Sequence, residues 1–379
     1  MRIEDGSEWD AVVVGAGPAG SISAYLLARR GWRVLLLEKS KWPRDKVCGG
    51  CLNAVAVATL QEIGLSSVLA DAARLDRFLL HVGRKSLEVN LPEGVAISRL
   101  SLDARLVHAA QESGVHFLAE TAAKLDGANP GAPFRHLRLM NRQSSISVNA
   151  RVVLACDGIA GALLESEPWA AWRVARDAWF GVSAMVDAPE LAERGAISMF
   201  VGCGGYAGAV VMPPEGGSPS GVHVGAALDP KVCRAIGGPA ELVARITGVS
   251  LKNVRFLGTG LLTRRRRNLG GHRVLAVGDA CGYVEPFTGE GISWAVRGAK
   301  AVVEMLPQQP ERWSDAIVGS WQRRHAQVAH TQWCRTLRRF AHAPVVASVG
   351  VSLAKLWPPI ARGIGHRIGG LSSVQGVPT

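Results

Sequence analysis

Residues 11–20 read AVVVGAGPAG and residues 33–38 read RVLLLE. No other feature constrains the fold as strongly. Four apolar residues make a buried strand, and Gly15, Gly17 and Gly20 follow at G-x-G-x-x-G spacing. Pro18 to Arg30 has helical composition, Gly31 closes it, and a second strand ends on Glu38. Gly15 permits a tight turn, Gly17 lets backbone approach a pyrophosphate, and Gly20 lets helix and strand pack closely. Pro18 and Ala19 open the helix, whose N-terminus offers free N–H groups and a positive dipole end to phosphate. Glu38 stands 18 residues after Gly20, where an acid accepts hydrogen bonds from a ribose diol. The pattern predicts an α/β chain with a Rossmann-like site for an adenine dinucleotide.

Which dinucleotide is decided further along. Residues 273–292 read RVLAVGDACGYVEPFTGEGI, a strand into Gly278-Asp279 and then a helix from about Gly291. Residues 151–158 read RVVLACDG, a strand ending at Asp157-Gly158. These motifs, in this order, resemble those of the aromatic-hydroxylase (p-hydroxybenzoate-hydroxylase-like) and geranylgeranyl-reductase superfamily. The resemblance implies FAD, with Asp279 on the ribityl chain and Gly289, Glu290, Gly291 and Ile292 near the flavin ring. Pro286 and Gly278 belong to the same fingerprint, and Asp157 and Gly158 match a third family element. It also implies a three-layer ββα FAD domain interleaved with a β-sheet substrate domain. The expected division is 1–75, 99–175 and 263–305 for the FAD domain, 76–98 and 176–262 for the sheet, and 306–379 for C-terminal helices.

The segment after Glu38, KSKWPRDKVCGGCLN, resembles the P-x-x-K-x-C-G-G element of the geranylgeranyl reductases, with Pro43, Lys46, Cys48, Gly49 and Gly50 in place. The resemblance puts this loop beside flavin and substrate, so Lys39, Arg44, Lys46, Cys48, Gly49 and Gly50 become site candidates. Arg99 stands where the superfamily carries an FAD-facing arginine; Asp103 reads as a helix N-cap. Tyr206 to Pro213 (GYAGAVVMP) occupies the place of the reductases' Y-x-W-x-F-P element, but Gly208 replaces the tryptophan. Tyr206 is then a cavity-lining candidate or a plain sheet residue. The W-x-W-x-I-P element of flavin halogenases is not found.

Three function classes follow. The main reading is a geranylgeranyl-reductase-like enzyme acting on a hydrophobic, polyprenyl or alkyl-aromatic molecule. The alternative is an NAD(P)H- and oxygen-dependent monooxygenase of aromatic rings, favoured by Gly208. The third is a redox sensor built on Cys48 and Cys51. NAD(P)H or another donor, including a partner reductase, supplies electrons. A metal site is disfavoured because Cys48-x-x-Cys51 lacks a second ligand pair.

The formal net charge is +12, yet no nucleic-acid-binding signature accompanies it. Arg264 to Arg267 reads as a solvated connection, with NADPH phosphate or anionic lipid as sharper readings. The basic and apolar C-terminal 50 residues read either as a packing helix or as a helix on a membrane surface. In the latter case Trp357 sits at the boundary, and Arg335, Arg338, Arg339 and Lys355 face lipid phosphates. The acidic start of the chain shows no export signal, and no run reaches the ~18 apolar residues of a membrane span. Seven scattered cysteines read as free thiols, consistent with a cytoplasmic setting that includes the inner face of a membrane.

Overall fold

The computed structural model describes residues 3–215, 220–285, 289–329 and 331–370. Its first sheet is ordered Gly270–Gly271, Val274–Ala276, Ser145–Ala155, Ser7–Val14, Val34–Leu37, His116–Leu118. The last five of these strands are mutually parallel. Their sequences are apolar runs because both faces are covered: Val12, Val13, Leu35 to Leu37 and Val152 to Ala155 are fully buried. The helices Pro18–Ala28, Arg99–Glu112 and Gly291–Met305 pack together on this sheet. A meander of Ala122–Leu125 and Arg135–Met140 runs back into the first half of the long Ser145–Ala155 strand.

The second sheet has eight strands, ordered Leu257–Leu261, Phe180–Val186, Gly221–Leu228, Gly205–Met212, Ala196–Gly202, Ala73–Val82, Lys85–Ala96, Cys51–Leu52. All its pairings are antiparallel except that of Ala196–Gly202 with Ala73–Val82. Residue alternation divides its two faces. Val182, Ala207, Ala209, Val224 and Leu228 form a core with Cys233, Leu242 and Val243 of the short helices Pro230–Ile236 and Pro239–Thr247. Phe78, Leu80, Val201 and Tyr206 belong to another core, with Ala341, Ala347, Val351 and Ala354 of the C-terminal helices. The α/β plan of two sheet-based domains with C-terminal helices is thus the expected fold. Cys51–Leu52 differs from the expected division, since it pairs with the second sheet.

Two local expectations are corrected. The arginine run is not a solvated connection. Arg264–Arg266 is a strand of a small three-stranded sheet with Trp172–Val174 and Gly282–Tyr283. Arg266 is buried over the Trp172 ring, 3.8 Å from its centroid, and donates to the carbonyls of Ala280 and Ala170. Burial, the main cause, lowers its pKa. Arg338 does not face lipid. It turns inward to Glu285, with Nε 3.0 Å from Oε1, and to Asp177.

The glycine fingerprint has the stated mechanical basis. A Cβ on Gly20 would lie 1.8 Å from the Gly15 carbonyl oxygen, and one on Gly15 would lie 2.4 Å from the Cys156 carbonyl oxygen. Gly15 also has φ +105°, which favours glycine. We expect Gly20→Ala to destabilise the protein by about 1–3 kcal/mol through overpacking, read as a lower midpoint in thermal unfolding; an unchanged midpoint would contradict the packing argument.

Candidate active site

The parallel strands leave the first sheet at one edge. Val14 is followed by Gly15, Leu37 by Glu38, Ala155 by Cys156-Asp157, and Ala276 by Val277-Gly278-Asp279. Strand carboxyl ends are where ligands bind in open parallel sheets. A cavity of about 710 Å³ opens at this edge and extends under the second sheet, a size within the usual range for ligand sites.

Most of the candidate residues line this one cavity. Gly15, Gly17, Pro18, Ala19, Glu38, Lys39, Arg44 and Arg99 do so, together with Asp157, Gly158, Asp279, Gly289, Gly291 and Ile292. So do Lys46, Cys48, Gly49, Gly50 and Tyr206. Three candidates lie behind the wall. Gly20 packs on the Gly15 carbonyl, Gly278 packs on Ala19, and Glu290 is buried as the acceptor of the Cys334 thiol at 2.7 Å. Pro286 lies outside the described residues.

A buried chain of charges holds the cavity's nucleotide end. Glu38 accepts from the amides of Ala16 and Ser40 and from Arg44, whose Nη2 is 3.0 Å away. The Arg44 Nη1 reaches Asp103 Oδ2 at 3.3 Å. Asp103 in turn takes two hydrogen bonds from Arg99, at 2.9 and 2.7 Å. Burial alone would raise the Glu38 pKa, but Arg44 and the two amides outweigh it and hold the carboxyl below its ordinary value. Arg99 loses protonation tendency to burial but gains more from Asp103, then Cys48, and stays firmly cationic. Asp103 is therefore not the N-cap. Ser98 caps the helix by accepting from Ser101 N, and Asp103 sits one turn inside, fully buried. Its role was visible as an i,i+4 pair with Arg99.

The remaining groups at the cavity have bonding capacity that the protein does not use. Gly17 and Glu290 precede helices that have no side-chain cap, so the helix N-termini at Pro18 and Gly291 remain open at the cavity. A Cβ on Gly17 would meet nothing nearer than Arg99 Nη2 at 3.5 Å. Asp157 clasps the following turn by accepting from Leu163 N at 3.0 Å, while its buried Oδ1 has no partner. Burial raises the Asp157 pKa against the Leu163 amide and Arg266. Burial likewise raises that of Asp279, opposed by Lys46 and Arg99. The Lys46 ammonium lies 2.9 Å from where a Gly158 Cβ would stand. Burial, then Arg99, lowers its pKa, partly offset by Asp279. Open helix N-termini, an orphaned carboxylate oxygen, and a lysine and an aspartate facing one cavity fit a large anionic, polyhydroxylated cofactor such as FAD.

The far wall is the second sheet. Gly208 pairs with Gly225 across adjacent strands, and Gly181 lies beyond on the next. All three line the cavity. The loop at Cys48–Gly49 sits against Gly225, with the Gly49 Cα 3.3 Å from where a Gly225 Cβ would be. Tyr206 and Tyr283, also at the wall, are held well above their ordinary pKa, chiefly by burial, and so are hydrogen-bond donors. Cys51 is pushed up to about 12 by burial and then by Cys48. Sequence reading missed Tyr283 and the cluster behind Tyr206. There Glu285 is fully buried, paired with Arg338 and His342, and the His342 ring stacks on Trp179 at 3.4 Å. Nothing in the local pattern marked them, because they converge from three distant segments.

Residues 8–330 match the family model described as FAD binding domain. Conditioned medium factor receptor 1 of Dictyostelium discoideum is 25% identical over 335 residues, 79% of this chain and 63% of its own. Menaquinone reductase of Mycobacterium tuberculosis is 40% identical over 124 residues, 31% of this chain and 30% of its own. The chain thus spans less than two thirds of the length of these relatives. The crystal structure of p-nitrophenol 4-monooxygenase from Pseudomonas putida superposes with a TM-score of 0.78. It covers 98% of this chain and 100% of that one at 16% identity, a likeness of fold.

Two expectations follow from the site. Glu38 has its pKa lowered by folding, so its stabilisation is complete above the ordinary value of about 4.5 and is lost as pH falls through the lowered value. Glu38→Gln should therefore flatten the acid side of the stability profile, measured by thermal melts from neutral pH downward; parallel profiles would refute the assignment. Asp103→Ala leaves two arginines facing a buried gap, and removal of one partner of a buried pair costs about 3–5 kcal/mol; urea unfolding measures it.

Proposed function

The chain belongs to the FAD binding domain family and is a flavin-dependent oxidoreductase; from that premise we propose that it is a monooxygenase of hydrophobic, ring-containing substrates. Bound FAD supplies a two-electron centre that accepts reducing equivalents and reacts with oxygen. The overall change puts one oxygen atom of O2 into a C–H bond and releases the other as water. NAD(P)H, with one proton, supplies the two electrons.

In this reading the residues divide the work along the cavity. The Gly15–Gly17 turn and the helix N-terminus at Pro18 would hold the diphosphate, and Glu38 a ribose. Asp279 would accept from the ribityl hydroxyls. The second open helix N-terminus, at Gly291, would favour negative charge on the ring. Lys46 adds a positive charge beside Asp279 and Gly158. Tyr283, a neutral phenol at the cavity, would donate a hydrogen bond to a polar substituent of the substrate. The mostly apolar wall excludes water, which protects reactive oxygen species from wasteful breakdown.

The observation that carries the reading is the missing side chain at Gly208, on the cavity wall. Where the reductases in the resemblance carry a tryptophan, this wall has no side chain. At Gly225 the Cys48–Gly49 backbone is seated directly on the sheet, so the open seat lies over Gly208, where a Cβ would crowd only the movable Met199 methyl, at 3.1 Å. The full-length likeness to p-nitrophenol 4-monooxygenase supports it. The local identity with menaquinone reductase supports a second reading, reduction of a quinone or a carbon–carbon double bond. The dithiol-sensor reading is disfavoured, because Cys51 is buried and its thiol donates to the Gly49 carbonyl, whereas redox-sensing thiols are accessible.

Turnover under 18O2 with NADPH and a panel of alkyl phenols and quinones separates the two readings. One 18O atom in the product supports hydroxylation; anaerobic turnover with gain of two hydrogens establishes the reductase instead. Gly208→Trp should lower kcat/KM for a ring substrate by at least about tenfold with flavin content unchanged, and undiminished turnover would remove the ring from this seat.

A further inference from the structure

The helix Pro344–Leu356 carries an exposed apolar ridge. Val345, Val346, Val349, Leu353 and Leu356 are 54–82% exposed, and Trp357 follows at 64%. At about 100° per residue the five aliphatic positions fall within an arc of about 100°. Ala347, Val351 and Ala354 occupy the opposite side and are buried against the second sheet. The ridge is therefore not an incompletely packed core face; the helix already has its inner contacts.

Charge is segregated around this ridge. From residue 316 to 379 the chain has eight Lys and Arg and no Asp or Glu, so this segment supplies eight of the twelve net positive charges. Arg335, Arg339, Lys355 and Arg362 are exposed. Lys85 adds a cation from the sheet, its Nζ 2.7 Å from Ser352 Oγ. Apolar side chains bordered by exposed cations are the two signals of a surface that enters the boundary of an anionic bilayer. A second copy is a poor occupant, since like charges would face each other.

We propose that the helix Pro344–Leu356 docks this protein on anionic lipid bilayers, its Val345–Leu356 ridge in the acyl boundary and its flanking arginines on headgroup phosphates. The contact is peripheral. Among the described residues no single helix is long and apolar enough to cross a membrane; this helix and Ala361–Ile368 have the length and composition only as a pair, and that pair is bent by 113°. Docking would bring the bilayer near the site. Ile368 and Gly369 of the C-terminal region line a small cavity together with Cys51, Ile197 and Gly289, which also line the main one. The proposal goes beyond the reaction assigned above and does not depend on it.

Flotation of the full flavin-loaded chain with phosphatidylcholine vesicles, with and without phosphatidylglycerol, tests it. We expect binding to the anionic vesicles, weakened by salt. Val349→Asp with Leu353→Asp should reduce that binding at least about tenfold, with flavin content and melting temperature unchanged. Leu356→Asp alone is the milder variant should the double one unfold, and Arg335→Gln with Arg339→Gln tests the charge. Absence of flotation, or equal flotation of the ridge variants, overturns the proposal. So does a dimer in solution that the ridge variants convert to monomer, which would assign the ridge to a second copy.

Discussion

Arg44 joins two carboxylates that could not otherwise be buried. Glu38 belongs to the end of a parallel strand, Asp103 to a helix some sixty residues on, and Arg44 to the loop between the two sheets. Each acid would carry a large desolvation cost if unpaired. With Arg99 on the other side of Asp103, the four groups close a chain in which every charge has a partner. This fixes the loop that carries Lys46 and Cys48–Gly50, and through it the distance between the nucleotide end of the cavity and the second sheet. The placement of the site depends on that distance, because one wall comes from each sheet.

The two sheets contribute differently. The parallel sheet is a conventional anion and ribose platform, built from strand ends and open helix N-termini. The mixed sheet contributes little polar chemistry at the cavity: backbone, small and aliphatic residues, Met199, Thr259 and one tyrosine, Tyr206. The division matches a large polar cofactor on one side of the cavity and an apolar wall on the other.

The sequence made the first sheet legible because its strands are buried on both faces and its turns demand glycine. Gly15 and Gly20 are required by contacts that no side chain fits. The order of the three motifs placed the cavity, and nearly all candidate residues line it. What the sequence concealed was of two kinds. Asp103 looked like a cap because short polar residues before an apolar run usually are; a buried arginine one turn away overrode that preference. Glu285, Arg338, His342 and Trp179 come together only through tertiary packing, so no local spacing announces them. The arginine run misled for a third reason: charge implied solvent, whereas Arg266 finds carbonyls and an indole face inside the protein.

The bare backbone at Gly208 has a consequence for selectivity. With no side chain of its own to order and one flexible neighbour, Met199, this stretch of wall costs little conformational entropy when a guest is laid on it. The same wall cannot rearrange around a bulkier guest, because its hydrogen-bonded strands set its position. What can give way there is the Met199 methyl over Gly208; the Cys48–Gly49 loop on Gly225 and the strands themselves stay put, so a guest gains room only by the turn of one thioether.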